Sequence, residues 1–197
     1  MSTNKTHLRI KTHKDMEATK TMTKWVADPT HSEILFKVKH LMITNVKGEF
    51  RNFKAEIKSA GDDFNDAKVL VTIDADSIFT NNKDRDAHLK TGDFFDAEKY
   101  PHIVFEGTKF EKLDDENYKL TGMLTINGTA KEVVLDVEHG GTIKDLYGNY
   151  KAGFSVSGKI NRKDWGLNWN AALEAGGVMV SDEVRINAEA QFIREGE

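Results

Sequence analysis

The chain of 197 residues contains no cysteine, which removes disulfide bonds, thiolate metal ligands and cysteine nucleophiles together. Its only two prolines, Pro29 and Pro101, lie near the boundaries of apolar segments. No run approaches the roughly 20 consecutive apolar residues that a membrane-spanning helix needs. The formal net charge is −4, and no basic cluster is strong enough to predict nucleic-acid binding.

The first 23 residues are poor in apolar side chains. Through Lys24, six basic residues stand against two acidic ones, and Leu8 and Ile10 are nearly isolated. A secretory signal needs a continuous apolar stretch of roughly 7–15 residues, so this segment favours a cytoplasmic location. We predict a disordered basic leader over residues 1–23, with Met22 as an alternative start, and one domain over residues 24–197.

The remaining sequence has the pattern of a β-protein. Over the whole chain 39% of residues are hydrophobic and 30% are charged, as in ordinary globular domains. From Trp25 onward apolar residues recur with a period of two, which is typical of strands with one buried face. Eight runs show this alternation, over residues 34–40, 46–57, 69–75, 103–107, 118–126, 133–137, 152–160 and 184–192.

The links between these runs predict how the strands pair. Asn127-Gly128 between two alternating runs predicts a tight hairpin, and a phase slip at Arg51–Asn52 predicts a β-bulge. Short links predict antiparallel neighbours, and closure removes exposed edges. The expected fold is therefore an all-β, eight-stranded antiparallel barrel.

Two connections do not alternate. Residues 82–98 form a link that is much longer than a hairpin, and Asn82 predicts a short helix over residues 83–91 that Gly92 ends. A second irregular connection covers residues 161–182 and includes the Gly176–Gly177 pair.

An eight-stranded barrel is either filled by side chains or holds one small ligand. Four glycines on the apolar phase of four strands favour a partly empty interior: Gly48, Gly107, Gly122 and Gly158. Taken singly, each glycine is better explained by relief of strain at a corner or bulge. Taken together with several phenylalanines, they predict an apolar cavity.

Several motifs resemble one known family. Its opening signature is matched by Asp28, His31, Ser32, Ile34, Phe36, Val38, His40, Gly48, Phe50 and Phe53. Its central block is matched by Ser77-Ile78, Thr80, Arg85-Asp86, His88-Leu89, Asp93-Phe94-Phe95-Asp96 and Tyr100-Pro101. The match continues through Gly122, Leu124, Ile126, Gly128, Arg162, Asp164 and Gly166. Over residues 24–193 the chain thus resembles the YceI-like family.

The resemblance implies a lipocalin-like barrel that carries or stores polyisoprenoids, isoprenoid quinones or long fatty amides. It also implies a homodimer, and transient contact with a membrane is a separate expectation. Many family members are periplasmic, with an apolar signal segment that this leader lacks. The predicted ligand-binding residues are Phe36, Val38, His40, Gly48, Phe50, Val71, Ile73, Arg85, His88, Phe94, Phe105, Gly122, Leu124, Phe154, Val156 and Trp165.

The polar residues in this set allow two interpretations. Arg85, Asp86 and His88 either meet a ligand head group or form a structural network in which Asp86 pairs with Arg85 or Arg162. His40, at the end of its strand, is a head-group contact or a satisfied interior histidine. Trp165 and Trp169 close one barrel end, pack in the core or form a subunit contact.

The sequence carries no enzyme motif. It has no Gly-x-Ser-x-Gly elbow, and adjacent His31 and Ser32 point to opposite faces of a strand. No His-x-His or His-Glu-x-x-His pattern predicts a metal site, and no cofactor is expected other than bound lipid. The first hypothesis is a non-catalytic lipid-binding protein. The alternatives are an enzyme acting on a small hydrophobic substrate and a stress-linked interaction protein with a structural lipid.

Overall fold

A computed structural model describes residues 22–61, 63–172 and 178–196. The predicted leader lies outside these residues, except that Met22 is described and Thr23 already begins the first strand. The Gly176–Gly177 pair of the second long connection also lies outside them.

Eleven strands and one α-helix form the described fold. The strands are β1 Thr23–Ala27, β2 Glu33–His40, β3 Thr44–Phe50, β4 Phe53–Ser59, β5 Lys68–Asp74, β6 Ile78–Phe79, β7 His102–Lys112, β8 Asn117–Ile126, β9 Thr129–Lys144, β10 Tyr150–Asn161 and β11 Val180–Arg194. The α-helix, α1, is Lys83–Leu89, and short 3₁₀ turns span Ala75–Ser77 and Arg162–Trp165.

The sheet closes into the predicted antiparallel barrel. The order β1-β4-β5-β7-β8-β9-β10-β11 returns to its start through pairing of β1 with β11, so eight strands encircle the interior. The strand β2 continues the line of β1 along β11, while β3 pairs with β2 and carries β6 on its other edge. The eight predicted runs correspond to eight positions around the wall. The strands β1 and β2 together form one position, β3 and β4 together form another, and a single strand forms each of the other six.

The local predictions are mostly confirmed. The predicted β-bulge at Arg51–Asn52 is instead a break between two strands, since β3 ends at Phe50 and β4 begins at Phe53. Asn127 and Gly128 have φ of 49° and 70°, as a primed hairpin turn requires. The Asn82 side chain accepts a hydrogen bond from the Arg85 N–H at 3.0 Å and caps α1, although α1 ends at Leu89 rather than near residue 91.

The core lies on the inner face of the barrel wall. Burial alternates strictly along β8, where buried Tyr118, Leu120, Leu124 and Ile126 face inward and the less buried residues between them, most of them polar, face out. This is the pattern expected of a strand with one wet face. Within the described ranges, no helix is long and apolar enough to cross a bilayer.

Candidate functional site

An apolar cavity of about 260 Å³ lies inside the barrel. This is slightly below the roughly 300–1,000 Å³ that is typical of ligand pockets. Inward side chains of the wall strands line it, together with Leu89, Phe94, Phe95 and Leu167 from the two long connections. Among the described residues that line it, only Glu33 and Arg162 are ionisable, and the cavity surface itself is apolar. Such a space can bury a hydrocarbon chain at little polar cost.

The alternation of the sequence identified much of this lining. Ten of the predicted ligand-binding residues line the cavity: Phe36, Val38, Phe50, Val71, Ile73, Phe94, Phe105, Leu124, Phe154 and Val156. Their direct contact with a ligand stays a prediction. The sequence reasoning missed the β11 side of the cavity, formed by Val184, Ile186, Ala188 and Ala190, although these residues stood in one of the predicted runs.

An aromatic cluster closes the lower end of the barrel, which is the end where β4 ends and β5 begins. The Phe64 ring lies 5.2 Å from that of Trp25 and 5.0 Å from that of Phe154, and both Phe64 and Trp25 are fully buried. His139 stacks on Phe154 with ring centroids 4.9 Å apart. Burial lowers the pKa of His139, so the neutral imidazole is favoured among the apolar rings of this cluster. No sequence pattern had singled out His139.

The upper end is covered by the two long connections. The ring of Trp169 lies 4.9 Å from that of His88 and 5.3 Å from that of Phe94. Phe94 and Leu89 extend from this cover into the cavity lining. The cover thus joins residues from before β7 and residues from after β10 through the two aromatic contacts of Trp169.

The inward glycines do not leave the open volume that we expected. A Cβ at Gly48 would stand 2.2 Å from Cζ of Phe36, and one at Gly122 would stand 2.4 Å from Cζ of Phe105. A Cβ at Gly158 would likewise stand 2.4 Å from Cδ2 of Leu135. Neighbouring side chains already occupy these positions, so that part of the prediction is wrong. The glycines instead let the two phenylalanine rings lie along the wall.

Arg85 and Asp86 form a structural network around Thr80 and do not line the cavity. The Asp86 carboxylate accepts hydrogen bonds from the Thr80 N–H at 2.8 Å and from its hydroxyl. The Arg85 Nε and Nη2 groups donate to the Thr80 hydroxyl and carbonyl oxygens, both at 2.7 Å. The predicted pairing of Asp86 with Arg85 or Arg162 is replaced by this shared partner, which fixes α1 at the barrel end.

His40, His88 and Trp165 also lie outside the cavity lining. His88 is partly exposed, and its Nε2 lies 2.8 Å from an Asp93 carboxylate oxygen. His40 ends β2 opposite Val180, where the wall meets the tip of the hairpin. Trp165 is buried and donates its indole N–H to the Leu124 carbonyl at 2.8 Å, which makes it a core residue.

Arg162 is a buried residue whose role the sequence did not reveal. Its side chain is 3% exposed and donates to the carbonyl oxygens of Ser181, Leu167 and Trp169. Burial lowers its pKa, while the Asp182 carboxylate at 3.7 Å raises it. Because its polar atoms serve backbone carbonyls, Arg162 fastens the second long connection to the barrel.

The part of the chain that the structure describes brings together no group of three histidine, aspartate or glutamate side chains that could hold a metal ion.

Comparisons with known proteins give consistent matches. A family model described as a YceI-like domain matches residues 25–192. A UPF0312 protein of Staphylococcus aureus (strain N315) is 42% identical over 172 residues, which cover 87% of this chain and 98% of that protein. A UPF0312 protein of Staphylococcus epidermidis (strain RP62A) has the same identity and coverage.

Solved structures match as well. A YceI protein of Campylobacter jejuni is 41% identical, with a TM-score of 0.69 over 81% of this chain and 90% of that one. BcnA of Burkholderia cenocepacia has a TM-score of 0.73 at 23% identity, over 84% of this chain and 98% of that one. A polyisoprenoid binding domain from Saccharophagus degradans has a TM-score of 0.62 at 14% identity, over 89% and 100%. At these identities the last two show the shared fold.

Proposed function

Because this chain belongs to the YceI-like domain family, we propose that its barrel binds one long apolar lipid chain and carries or stores it without catalysis. The observation that carries the proposal is the apolar cavity of about 260 Å³ inside the barrel. The polyisoprenoid binding domain of Saccharophagus degradans, which has the same fold, supports an isoprenoid as the chain. An isoprenoid quinone or a fatty amide has the same kind of hydrocarbon tail.

The energetics of burial favour such a ligand. Each CH₂ group that leaves water contributes roughly 0.8 kcal/mol, so one five-carbon isoprene unit contributes on the order of 4 kcal/mol. A few units offset an association cost of about 4–15 kcal/mol. Specificity for the ligand then depends on the shape of the cavity and on its exclusion of water rather than on hydrogen bonds.

The polar residues support a binding protein rather than an enzyme. A catalytic role for His40, His88 or Asp86 required at least one of them to face the cavity, and none of the three lines it. The His88–Asp93 pair lies on the partly exposed outer side of the cover. A cytoplasmic location, a homodimer and contact with a membrane all stay predictions.

The test uses one cavity-filling variant and a matched control. Ala188 lines the cavity, and exposed Asn187 precedes it on the opposite face of β11. We expect Ala188→Phe to place a ring in the cavity and Asn187→Phe to place the same ring in solvent. Each protein is incubated with geranylgeraniol, repurified and extracted with organic solvent, and mass spectrometry measures the lipid bound per chain.

The wild-type protein and Asn187→Phe should retain the lipid, and Ala188→Phe should lose at least about nine-tenths of it because the added ring takes its volume. Circular dichroism checks that all three proteins are folded. Equal retention by Ala188→Phe and the wild type, or no retention by either, would falsify the proposal.

A further inference from the structure

A row of cationic side chains crosses the outer wall at the upper half of the barrel. Lys37 on β2 is the register partner of Lys47 on β3 and of Arg185 on β11, and Arg185 is the partner of Lys159 on β10. Like charges directly opposite one another destabilise a sheet. Strand pairing therefore does not explain this cationic row, which consists of Lys37, Lys47, Lys159 and Arg185.

The cationic row is only partly neutralised within the chain. Oε1 of Glu183 lies 3.1 Å from Nε of Arg185, and its Oε2 lies 3.8 Å from Nζ of Lys159. Among the described residues, no carboxylate forms an ion pair with Lys37 or Lys47. A positive surface on a chain of net charge −4 is a strong local asymmetry, and it attracts anions.

The turn between β2 and β3 adds an exposed apolar tip. Met42 is 51% exposed and Ile43 is 79% exposed. Leu41 and Met42 have φ of 51° and 59°, in a turn that the Ile43 N–H closes onto the His40 carbonyl at 3.2 Å. Asn and Gly are the residues that such a turn normally selects. Bulky apolar residues are unfavourable both at the positive φ angles of this turn and in contact with water.

The hairpin tip stands at the rim of the cavity. Val38, which precedes the tip on β2, lines the cavity, and so does Val180, the partner of His40. An apolar tip beside a cavity opening and a basic wall suits an interface between hydrocarbon and anionic head groups.

We propose that this surface docks on an anionic bilayer, with Met42 and Ile43 in the lipid and the cationic row against lipid phosphates. The choice of a bilayer rests on the proposed function, since a membrane is where an apolar chain is collected or delivered. Ile43 is the last residue of the turn before β3, and Lys47 lies four residues further along the chain, at most about 13 Å away. With the tip inserted about 5–10 Å, Lys47 lies near the level of the head groups.

Charge removal tests the electrostatic half of the proposal. The full-length Lys37→Gln/Lys47→Gln variant is floated with vesicles of phosphatidylcholine alone or mixed with phosphatidylglycerol. The matched control is Lys58→Gln/Lys68→Gln, which removes two lysines that face each other across β4 and β5. At about fivefold per lysine, the first variant should lose on the order of 25-fold in affinity for the mixed vesicles, and the control should lose little.

Removal of the tip tests the apolar half. Met42→Ser/Ile43→Ser should weaken binding to the mixed vesicles by at least about fivefold. Its control is Leu146→Ser/Tyr147→Ser at the opposite barrel end, where the two side chains are 101% and 91% exposed. Every variant keeps the basic first residues, so any attraction of that segment to vesicles is common to all.

The proposal is overturned by equal binding to neutral and mixed vesicles, by equal losses in variants and controls, or by vesicle binding that none of the variants changes. If Met42→Ser/Ile43→Ser instead converts a dimer to a monomer in sedimentation while vesicle binding persists, the tip is a self-interface and the proposal fails. The amount of geranylgeraniol bound is measured on the same proteins. If the wild-type protein prefers the mixed vesicles but retains no geranylgeraniol, only the proposed function fails. If it retains geranylgeraniol but does not prefer the mixed vesicles, only the docking surface fails.

Discussion

Gly122 shows how closely the barrel wall is packed beside an open interior. A Cβ there would meet the Phe105 ring and stand 2.6 Å from the backbone carbonyl oxygen of Glu106. We expect Gly122→Ala to lower the free energy of unfolding by about 1–3 kcal/mol, because the carbonyl cannot move without disturbing the ladder. Gly153→Ala is the control, since a Cβ at Gly153 meets nothing within 4 Å. Urea unfolding measures both, and similar losses would contradict this account.

His139 predicts a specific pH dependence of stability. Burial lowers its pKa in the folded state below the ordinary value of 6.5, so the unfolded chain binds the proton more readily. The contribution to stability is complete above pH 6.5 and is lost as the pH falls from there toward the folded pKa. His139→Phe keeps an aromatic ring on Phe154 and removes the titration.

The measurement is the free energy of unfolding of both proteins between about pH 5 and pH 8, the range in which histidine titrates. The other histidines are common to both proteins and cancel in the difference. The wild-type protein should lose stability relative to His139→Phe as the solution becomes acidic. Parallel curves would show that His139 is no more buried than a surface histidine.

At the scale of the elements, α1 depends on Thr80 for its position. A helix of seven residues is too short to persist alone in water. The Thr80 hydroxyl is the atom that Asp86 and Arg85 share. Thr80→Val should therefore raise hydrogen exchange of the α1 amides by about tenfold, because one buried hydrogen-bond partner of each charged group is lost.

Hydrogen-exchange mass spectrometry measures this effect, with Thr72→Val on β5 as the control. Thr72→Val leaves the Thr80 network intact and should not change the exchange of α1. Unchanged exchange in Thr80→Val would mean that the aromatic cover, rather than Thr80, holds the helix.

The strands were predictable wherever one face is buried, because burial imposes a period of two on the sequence. The strand β1 was missed because its five residues, TKWVA, are too few to show a period. The strand β9 runs to Lys144, well beyond the predicted end near Val137. Its polar extension includes a bulge opposite Gly153 and Phe154, which no apolar alternation marks.

The sequence predicts many of the residues that line the cavity, but it does not predict the volume that they enclose. Alternation assigns Phe105 and Gly122 to the inner face, but the ring that covers a glycine comes from the neighbouring strand, and local sequence does not record it. The burial of Arg162 depends on carbonyl groups that the second long connection supplies after folding. Such partners are set by tertiary structure alone.

At the scale of the whole molecule, the two barrel ends are built differently. Rings of Trp25, Phe64 and Phe154 fill the lower end. The upper end is closed by α1 and two connections that are joined through Trp169. Because buried rings pack the lower end, we expect exchange of lipid at the upper end, beside the exposed tip formed by Met42 and Ile43.

Binding inside the barrel must also stabilise the whole fold. A ligand that binds only the folded state adds about 2.7 kcal/mol at a concentration 100 times its Kd. For a domain of this size, that corresponds to a rise in Tm of about 5–10 °C. Delipidated wild-type protein and Asn187→Phe should show this rise when geranylgeraniol is added, as measured by scanning calorimetry. Ala188→Phe should start with a filled cavity and gain almost nothing, because a chain that cannot enter cannot favour the folded state. An equal rise in Ala188→Phe would mean that the lipid binds elsewhere on the protein.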